Sequence, residues 1–184
     1  ERLLLIDHAA EIARHTGADT IVELGSGTSD KARTLLDAFW GTGNLTTMAP
    51  MDVSEQTLVD AARMLAHRHP GLAVHAVVGD FTRHLPHLPE GERRMLAFLG
   101  GTIGNFYREE RRAFLGALAD TLSPGEWLLL GVDLVKELGR LVDAYHDAQG
   151  TTAAFILNVL HSLNRQLDDR DDRSPRPADD VHRG

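Results

Sequence analysis

The chain has 184 residues, of which 42% are hydrophobic and 25% are charged, so its length suits one globular domain and is short for two. Acidic residues outnumber Lys and Arg by 27 to 19, and the resulting formal charge of -8 argues against nucleic acid as a partner. Cysteine is absent, which excludes disulfide bonds, thiolate metal sites and cysteine nucleophiles, and no apolar run approaches the roughly 18 residues of a membrane span. We therefore expect a soluble, cytoplasmic protein with no membrane partner.

Helical and strand patterns alternate along the chain. Apolar side chains at helical spacing predict a helix over residues 1–15, and a β-branched run predicts a strand over 20–24 before a helix over 31–39. The later elements are predicted in the same way: strand 48–53, helix 54–67, strand 73–78, strand 94–99, helix 108–122, strand 126–133 and helix 136–149. Strands separated by helices of about 10 to 15 residues indicate βαβ crossovers. The predicted fold class is therefore α/β, a doubly wound and mainly parallel sheet with helices on both faces.

Two segments follow the last predicted crossover. Residues 151–167 have the apolar spacing of one amphipathic helix. The composition then changes to six Asp, four Arg and two Pro among residues 168–184, which predicts a disordered acidic and arginine-rich tail because so few apolar side chains cannot form a core. We expect a Rossmann-like domain over 1–150, a separate helix over 151–167 and the tail after it.

The loops after the predicted strands are candidate binding sites, because open parallel sheets bind ligands beyond the carboxyl ends of their strands. The first loop contains Gly25 and Gly27, which permit a sharp turn and a close approach to a ligand at the next helix N-terminus. This arrangement favours a nucleotide-like cofactor, although a tight connection with no ligand stays open as an alternative. Asp30 occupies the position of the third glycine of the dinucleotide fingerprint and would repel a pyrophosphate, which disfavours NAD and FAD.

Acidic residues follow the second and third predicted strands. Asp52 lies where a carboxylate accepts hydrogen bonds from both ribose hydroxyls, and its alternative role is to cap the next helix, for which Ser54 is better placed. Asp80 and Phe81 suit the amino group and the face of an adenine, or else form a capped turn with a core phenylalanine. Together with the glycine loop, these residues are typical of class I methyltransferases, which bind S-adenosylmethionine (SAM).

Six stretches of the chain carry a more specific resemblance: IVELGSGTSDKARTLLDA, MDVSEQTL, VHAVVGDF, AFLGGTIGNF, GVDLVK and RLVDAYHDAQGTTAAFILNVLHSLNRQL. They resemble the histidine-specific Nα-methyltransferase family over roughly residues 1–167. The resemblance implies a class I Rossmann-like, SAM-dependent N-methyltransferase that acts on the α-amino group of L-histidine. It implies a small-molecule substrate and, as product, hercynine, the trimethylated histidine that precedes ergothioneine.

The resemblance also implies which residues bind the cofactor. Five positions match the family motifs: Gly25, Lys31, Asp52, Asp80 and Phe81. By this resemblance Gly25 and Lys31 border the methionine part of SAM, with Lys31 near its carboxylate. Asp52 holds the ribose, and Asp80 and Phe81 hold the adenine.

Two further positions, Asn105 and Tyr145, match family residues that contact the α-amino and carboxylate groups of the substrate. A carboxamide can orient an amine by accepting its hydrogen bond without taking a proton, so Asn105 is expected to orient and not to act as a base. The residues alone leave other interpretations open: Asn105 as a helix cap, Tyr145 as a half-buried helix residue, and Lys31 as a surface charge. No catalytic acid or base is identified, since the ordinary pKa of an α-amine, about 7.7 to 8.0, makes a strong base unnecessary.

Other kinds of active site are disfavoured. The pairs His67/His69 and His84/His87 lack the i, i+4 spacing of a zinc-binding helix, and no acidic third ligand lies nearby in sequence, so we expect no metal. Neither a Gly-x-Ser-x-Gly elbow nor a phosphate-binding loop is present, which argues against hydrolases and kinases.

The chain also departs from the family pattern. The family implies N-terminal tyrosines, a C-terminal carboxylate and hydroxyl around the imidazole, and closing antiparallel strands, none of which is recognisable in this sequence. We therefore expect a truncated, monomeric chain that keeps SAM binding and methylates histidine slowly and with weak selectivity. A catalytically impaired SAM-binding fragment or interaction module is the alternative, and a nicotinamide-dependent reductase is a third candidate.

Overall fold

The computed structural model describes residues 2–27 and 30–135, together with the isolated positions 139, 154, 157 and 158; at 30–32 only the backbone is described. Apart from the isolated positions, the helices predicted over 136–149 and 151–167 and the tail predicted over 168–184 lie outside the described residues. None of the helices within the described part is long and apolar enough to cross a membrane.

Helices and strands alternate over the described residues. The helices are α1 Arg2–Thr16, α2 Asp30–Trp40, α3 Glu55–Arg68 and α4 Arg108–Thr121. The strands are β1 Thr20–Leu24, β2 Thr47–Asp52, β3 Ala73–Val74, β4 Val77–Val78, β5 Arg94–Phe98 and β6 Trp127–Leu130, and Leu85–His87 and Thr102–Asn105 form 3₁₀ helices. By its contacts the chain divides after Asp133, and all of these elements lie in the first unit. For the elements within the described residues, the predicted bounds are confirmed to within one residue, except at the third predicted strand and at β6.

The strands form one sheet in the order β3-β2-β1-β5-β6, and β4 pairs with β2 beyond β3. Every pairing among the described strands is parallel, which confirms the predicted α/β class. The strand order reverses at β1, whose neighbours are β2 on one side and β5 on the other. In open α/β sheets the ligand lies beyond the carboxyl ends of the strands at such a reversal. The loops after β1, β2, β4 and β5 are therefore the place to look for a site.

Both faces of the sheet are apolar and covered by helices. Successive strand residues point to opposite faces, so Ile21 packs with Leu5 of α1 and Leu36 of α2, whereas Val22 packs with Phe114 of α4. Strands that are buried on both sides consist of nearly continuous apolar runs and not of alternating polar and apolar residues. This double burial explains why β1 and β5 could be recognised from short apolar runs alone.

The strand predicted over 73–78 is interrupted between β3 and β4. The carbonyl oxygens of Met48 and Asp52 accept the N–H groups of His75 and Gly79, each at 2.9 Å, so these residues of β2 face the broken strand. Pro50 lies midway between them and faces the same way, because the backbone polar groups of a strand alternate in direction with period two. Proline has no N–H to donate. The missing hydrogen bond falls at the interruption, which the prediction of one continuous strand did not foresee.

Strand β6 is shorter than the 126–133 predicted for it. Its partner β5 ends at Phe98, whose carbonyl oxygen accepts the N–H of Gly131 at 2.8 Å just after β6. Beyond this bond the apolar residues have no partner strand among the described residues. The local apolar pattern therefore continues further than the pairing does.

Candidate functional site

The loop after β1 is tied to the end of β2. The N–H groups of Gly25 and Ser26 both donate to the carbonyl oxygen of Met51, each at 2.9 Å. Gly25 has a φ of +72°, in the left-handed region that costs other residues roughly 1–2 kcal/mol. A Cβ added to Gly25 would also lie 3.4 Å from Cε1 of Phe81. Glycine is thus favoured here by its backbone conformation, and the ring leaves little room for a side chain.

Asp52 connects this glycine loop to the start of α3. Its Oδ2 accepts the N–H of Gly27 at 2.9 Å, and its Oδ1 accepts the N–H of Ser54 at 3.0 Å. Ser54, and not Asp52, caps α3, because its hydroxyl oxygen accepts the N–H of Thr57 at 3.4 Å. A carboxylate offers about four acceptor positions, so the half-buried Asp52 keeps capacity for further donors such as ribose hydroxyls.

Asp80 follows β4 and is held by its own loop. Its Oδ1 accepts the N–H of Thr82 at 2.8 Å and the hydroxyl of Thr82 at 2.7 Å. These two bonds hold the pKa of Asp80 below its ordinary value, with smaller help from Arg83 and His84 and against the opposing effect of desolvation. The carboxyl group is therefore ionised at neutral pH. Its Oδ2 has its only ion-pair partner among the described residues in Nε of Arg83, 3.9 Å away.

Phe81 belongs to an aromatic cluster between the sheet and α4. Its ring centroid lies 5.1 Å from that of Phe98, 5.7 Å from that of Phe114 and 6.4 Å from that of Phe106. The residue is half-buried, and its ring also borders Gly25. Phe81 therefore packs against the core with part of its ring exposed, and its contact with adenine stays a prediction.

The loop after β5 presents Asn105 at the same edge of the sheet. Gly100 and Gly101 have φ values of +87° and +71°, and the following 3₁₀ helix ends at Asn105. Asn105 is exposed, and its carboxamide has no hydrogen-bond partner in the described part of the chain. The N-cap of α4 is Tyr107, whose N–H donates to the carboxylate of Glu110 at 2.9 Å. The interpretation of Asn105 as the cap of this helix is therefore wrong.

Four of the predicted site residues lie at one edge of the sheet, at the end of β2 and in the loops after β1 and β4: Gly25, Asp52, Asp80 and Phe81. Asn105 follows β5, the neighbour of β1 at this edge, but makes no hydrogen bond to these four. Lys31 lies in the first turn of α2, and its side chain is outside the described set. Tyr145 lies outside the described residues. The roles predicted for these three residues stay predictions.

Glu23 is a buried carboxylate beneath the glycine loop that the sequence analysis did not single out. It lies in β1, is 3% exposed, and accepts the hydroxyl of Ser26 at 2.7 Å. A cavity of about 290 Å³ opens beside both residues between α2 and α3, and Arg33 and Asp60 also line it. The sequence signal that could have identified Glu23 was a charged residue inside an apolar strand. A carboxylate is rarely buried without a partner, so such a residue indicates a specific interaction.

The acceptors at this edge suit a nucleoside. Asp52 and Asp80 are carboxylates with remaining acceptor capacity, which matches ribose hydroxyls and an aromatic amino group. The half-buried ring of Phe81 lies beside them. His, Asp and Glu side chains do not gather in threes as a metal site anywhere in the described ranges. The residues present therefore fit the adenosine part of SAM.

Comparison with known proteins identifies the family. Residues 1–175 match the family model described as histidine-specific methyltransferase, SAM-dependent. The chain belongs to the histidine-specific methyltransferase family. This match continues past residue 167, where we expected the resemblance to end, so residues 168–175 of the predicted tail fall inside the family region.

Curated relatives of this family are named for histidine methylation and for ergothioneine biosynthesis. The histidine N-alpha-methyltransferase of Mycolicibacterium smegmatis is 51% identical over 167 residues, which is 91% of this chain and 52% of that protein. Ergothioneine biosynthesis protein 1 of Neurospora crassa is 32% identical over 167 residues, which is 88% of this chain and 19% of that protein. The chain thus spans about half the length of the first relative and about a fifth of the second.

The fold also has a counterpart among solved structures. A protein of Thermobifida fusca YX assigned as a methyltransferase superposes with a TM-score of 0.51 at 20% sequence identity. The superposition covers 69% of this chain and 49% of that protein. At this level of identity the likeness bears on the fold alone, and it agrees with a Rossmann-like α/β sheet.

Proposed function

We propose that this chain is the SAM-binding core of a histidine Nα-methyltransferase, which methylates the α-amino group of L-histidine and forms hercynine in ergothioneine biosynthesis. The observation that carries the proposal is the meeting of two acceptor carboxylates, Asp52 and Asp80, with a glycine loop at the reversal of strand order. Membership of the histidine-specific family supports it. The proposal includes a small amino-acid substrate, a monomeric state and a cytoplasmic location.

In this proposal five positions hold SAM: Gly25, Lys31, Asp52, Asp80 and Phe81. Asp52 accepts the ribose hydroxyls while it keeps its bonds to the backbone of the glycine loop and of α3. Asp80 accepts the amino group of adenine on Oδ2, beside the ring of Phe81. The open turn at Gly25 and the charge of Lys31 serve the methionine end, with the lysine near its carboxylate.

The chemistry supplied by bound SAM is an electrophilic methyl group on a positively charged sulfur. The task of the chain is then to present an unprotonated amine at the correct distance and angle, which is catalysis by proximity and orientation. Asn105 is proposed to accept a hydrogen bond from the α-amine, and Tyr145 to contact the carboxylate end. Since an α-amine has an ordinary pKa of about 7.7 to 8.0, a modest lowering suffices and no strong base is needed.

We further propose an organisation in which residues 1–150 form the SAM-binding domain. Residues 151–167 then form a helix on the substrate side, and residues 168–184 form a disordered tail. Limited proteolysis tests this division, because cleavage should begin within 168–184 and leave a resistant core. Early cleavage inside α3 or α4 would contradict it.

The activity is tested by incubating the chain with methyl-labelled SAM and histidine. Mass spectrometry should then detect mono-, di- and trimethylated histidine. Labelled methyl groups on another amine, with none on histidine, would contradict the substrate. We expect the methyl groups on the α-nitrogen and none on the imidazole. Fragmentation of the product ion shows which nitrogen carries them.

A second candidate is a SAM-binding unit with little or no turnover, and it is favoured because none of the described residues is assigned to the imidazole of the substrate. Calorimetry with S-adenosylhomocysteine (SAH) separates the two candidates, because binding without methylated product supports the second. A nicotinamide-dependent reductase is disfavoured by Asp30, which begins α2 at the third glycine position of the dinucleotide fingerprint. Tighter binding of NADH than of SAH would reverse this ranking.

A further inference from the structure

Thr82 determines which oxygen of the Asp80 carboxylate is available. Both hydrogen-bond donors of Thr82, its N–H and its hydroxyl, go to Oδ1 of Asp80, at 2.8 Å and 2.7 Å. The opposite oxygen, Oδ2, is 3.9 Å from Nε of Arg83, beyond hydrogen-bond distance. A carboxylate that is held twice through one oxygen presents the other oxygen in one direction.

The backbone around Asp80 is fixed independently of this side chain. The carbonyl oxygen of Asp80 accepts the N–H groups of Arg83 and His84, each at 2.9 Å. The Nδ1 atom of His84 lies 3.0 Å from both the backbone nitrogen and the carbonyl oxygen of Asp80. Phe81 is held in turn by its aromatic neighbours and borders Gly25. The direction of the Asp80 carboxylate is therefore the remaining freedom at this corner, and the hydroxyl of Thr82 restricts it.

We propose that Thr82 is a positioning residue for base specificity, which holds the Asp80 carboxylate so that Oδ2 faces the 6-amino group of adenine. This inference rests on the proposed function, in which Asp80 binds adenine. An ionised carboxylate oxygen can only accept a hydrogen bond, so it pairs with a 6-amino group and repels a 6-oxo group. A site built in this way rejects the analogue that lacks the donor, because the charged acceptor is then left unpaired.

Thr82 also lowers the pKa of Asp80, because its two bonds to the carboxylate are the largest causes of that shift. An aspartate is ionised at neutral pH even at its ordinary pKa of about 3.9, so this shift does not decide the charge of Asp80 there. Thr82 therefore supports specificity through the direction of the carboxylate.

The test compares SAH with S-inosylhomocysteine, which carries a 6-oxo group in place of the 6-amino group and an N1–H donor in place of the N1 acceptor, and is otherwise the same ligand. Calorimetry on the 184-residue chain gives the ratio of the two dissociation constants. The unaltered chain is expected to prefer SAH by at least about tenfold. Thr82→Val, which keeps the shape and removes the hydroxyl, is expected to reduce this preference by about three- to tenfold, whereas Thr82→Ser keeps it within about twofold. Thr82→Ala is a second variant that lacks the hydroxyl.

A merely structural role would weaken both ligands equally and leave their ratio unchanged, and that result in both Thr82→Val and Thr82→Ala would overturn the inference. Asp80→Asn separates this failure from a failure of the proposed function. If Asp80→Asn keeps the full preference for SAH, Asp80 does not bind the base and the adenine assignment falls. If Asp80→Asn removes the preference while Thr82→Val keeps it, the adenine assignment stands and the role of Thr82 is wrong. In an Asp80→Asn background, Thr82→Val should change the ratio no further.

Discussion

Asp52 shows how a single side chain can join two parts of a site that are distant in sequence. Its two oxygens accept N–H groups from the glycine loop after β1 and from the start of α3. The same loop is held a second time by the carbonyl oxygen of Met51, one residue earlier. The end of β2 therefore fixes the backbone of the loop beside it and carries the carboxylate that we propose binds the ribose.

Replacement of Asp52 with alanine is expected to lower the affinity for SAH at least about tenfold, because hydrogen bonds to a charged group contribute about 1.5–3 kcal/mol each. The half-buried amide of Gly27 also loses its acceptor, which should lower the free energy of unfolding by about 1 kcal/mol. Calorimetry measures the first effect and chemical denaturation the second. Asp120→Ala removes an equal charge from the exposed end of α4 and should change neither quantity appreciably. A folded Asp52→Ala chain with unchanged affinity would refute the ribose assignment.

Two glycine-to-alanine changes should have opposite signs. Gly25 has a φ of +72° and borders Phe81, so Gly25→Ala is expected to lower the free energy of unfolding by about 1–2 kcal/mol. Gly116 lies inside α4, with no atom within 4 Å of an added Cβ. Gly116→Ala should therefore raise the free energy of unfolding by about 0.5–1 kcal/mol, since alanine favours the helix. Urea denaturation of both variants checks this, and a stabilising Gly25→Ala would show that the turn is not required.

At the scale of elements, the buried Arg94 holds together the edge of the sheet opposite the site. Its guanidinium donates to the carbonyl oxygen of Thr121 at the end of α4, at 2.7 Å, and to the carboxylate of Glu126 just before β6, at 2.9 Å. A third bond reaches the carbonyl of Pro89 at 3.1 Å. Glu126 also accepts the N–H of Ser123 at 2.7 Å. The Arg94–Glu126 pair therefore fixes the loop that connects α4 to β6.

Glu126→Ala is expected to lower the free energy of unfolding by about 3–5 kcal/mol, because it leaves the buried Arg94 without its counter-charge. Glu92→Ala, at an exposed position near the same edge, is the matched control and should cost less than about 0.5 kcal/mol. SAH affinity of the folded variant should be unchanged, since the pair lies at the amino edge of the sheet. Chemical denaturation measures the first quantity, and a loss below about 1 kcal/mol would contradict the expectation.

At the scale of the whole molecule, the site depends on the reversal of strand order. The sheet places β1 between β2 and β5, so that loops following strands far apart in sequence share one edge. Gly25, Asp52, Asp80 and Asn105 each come from a different loop at that edge. Asp52 and Asp80, which we propose bind the adenosine, therefore reach this edge from two different strands.

We expect the 184-residue chain to bind SAH measurably but to methylate histidine slowly and with weak selectivity. In the proposed function Asp52 and Asp80 bind the nucleoside, whereas Asn105 and Tyr145 contact only the amino-acid backbone of the substrate. Sites that hydrogen-bond a polar side chain commonly discriminate by about 10⁴, and no residue proposed here contacts the imidazole. Steady-state assays that compare histidine with other amino acids measure the selectivity. Rapid, histidine-selective trimethylation by this chain alone would contradict the expectation.

Over the described residues, the sequence by itself determined the order of helices and strands, most of their bounds and the parallel sheet. These features depend on local patterns, since strands buried on both faces are continuous apolar runs and helices repeat their apolar residues every 3.6 positions. Asp52 and Asp80 were also recognisable as candidate site residues, because a carboxylate at or after the end of an apolar strand must lie at the carboxyl edge. Family motifs added Lys31, Asn105 and Tyr145, whose contacts local patterns do not specify.

Only the tertiary structure decided which groups meet. The break between β3 and β4 lies opposite Pro50 of β2. It depends on the edge that the nitrogen of Pro50 faces, which is a property of strand register and not of the local sequence. The bonds from Gly27 to Asp52 and from Arg94 to Glu126 join residues 25 and 32 positions apart. Hydrogen bonds of this kind depend on positions to within a few tenths of an ångström, whereas apolar periodicity specifies only which face of an element is buried. Those distances are set when the sheet assembles, because strand pairing brings distant loops to one edge.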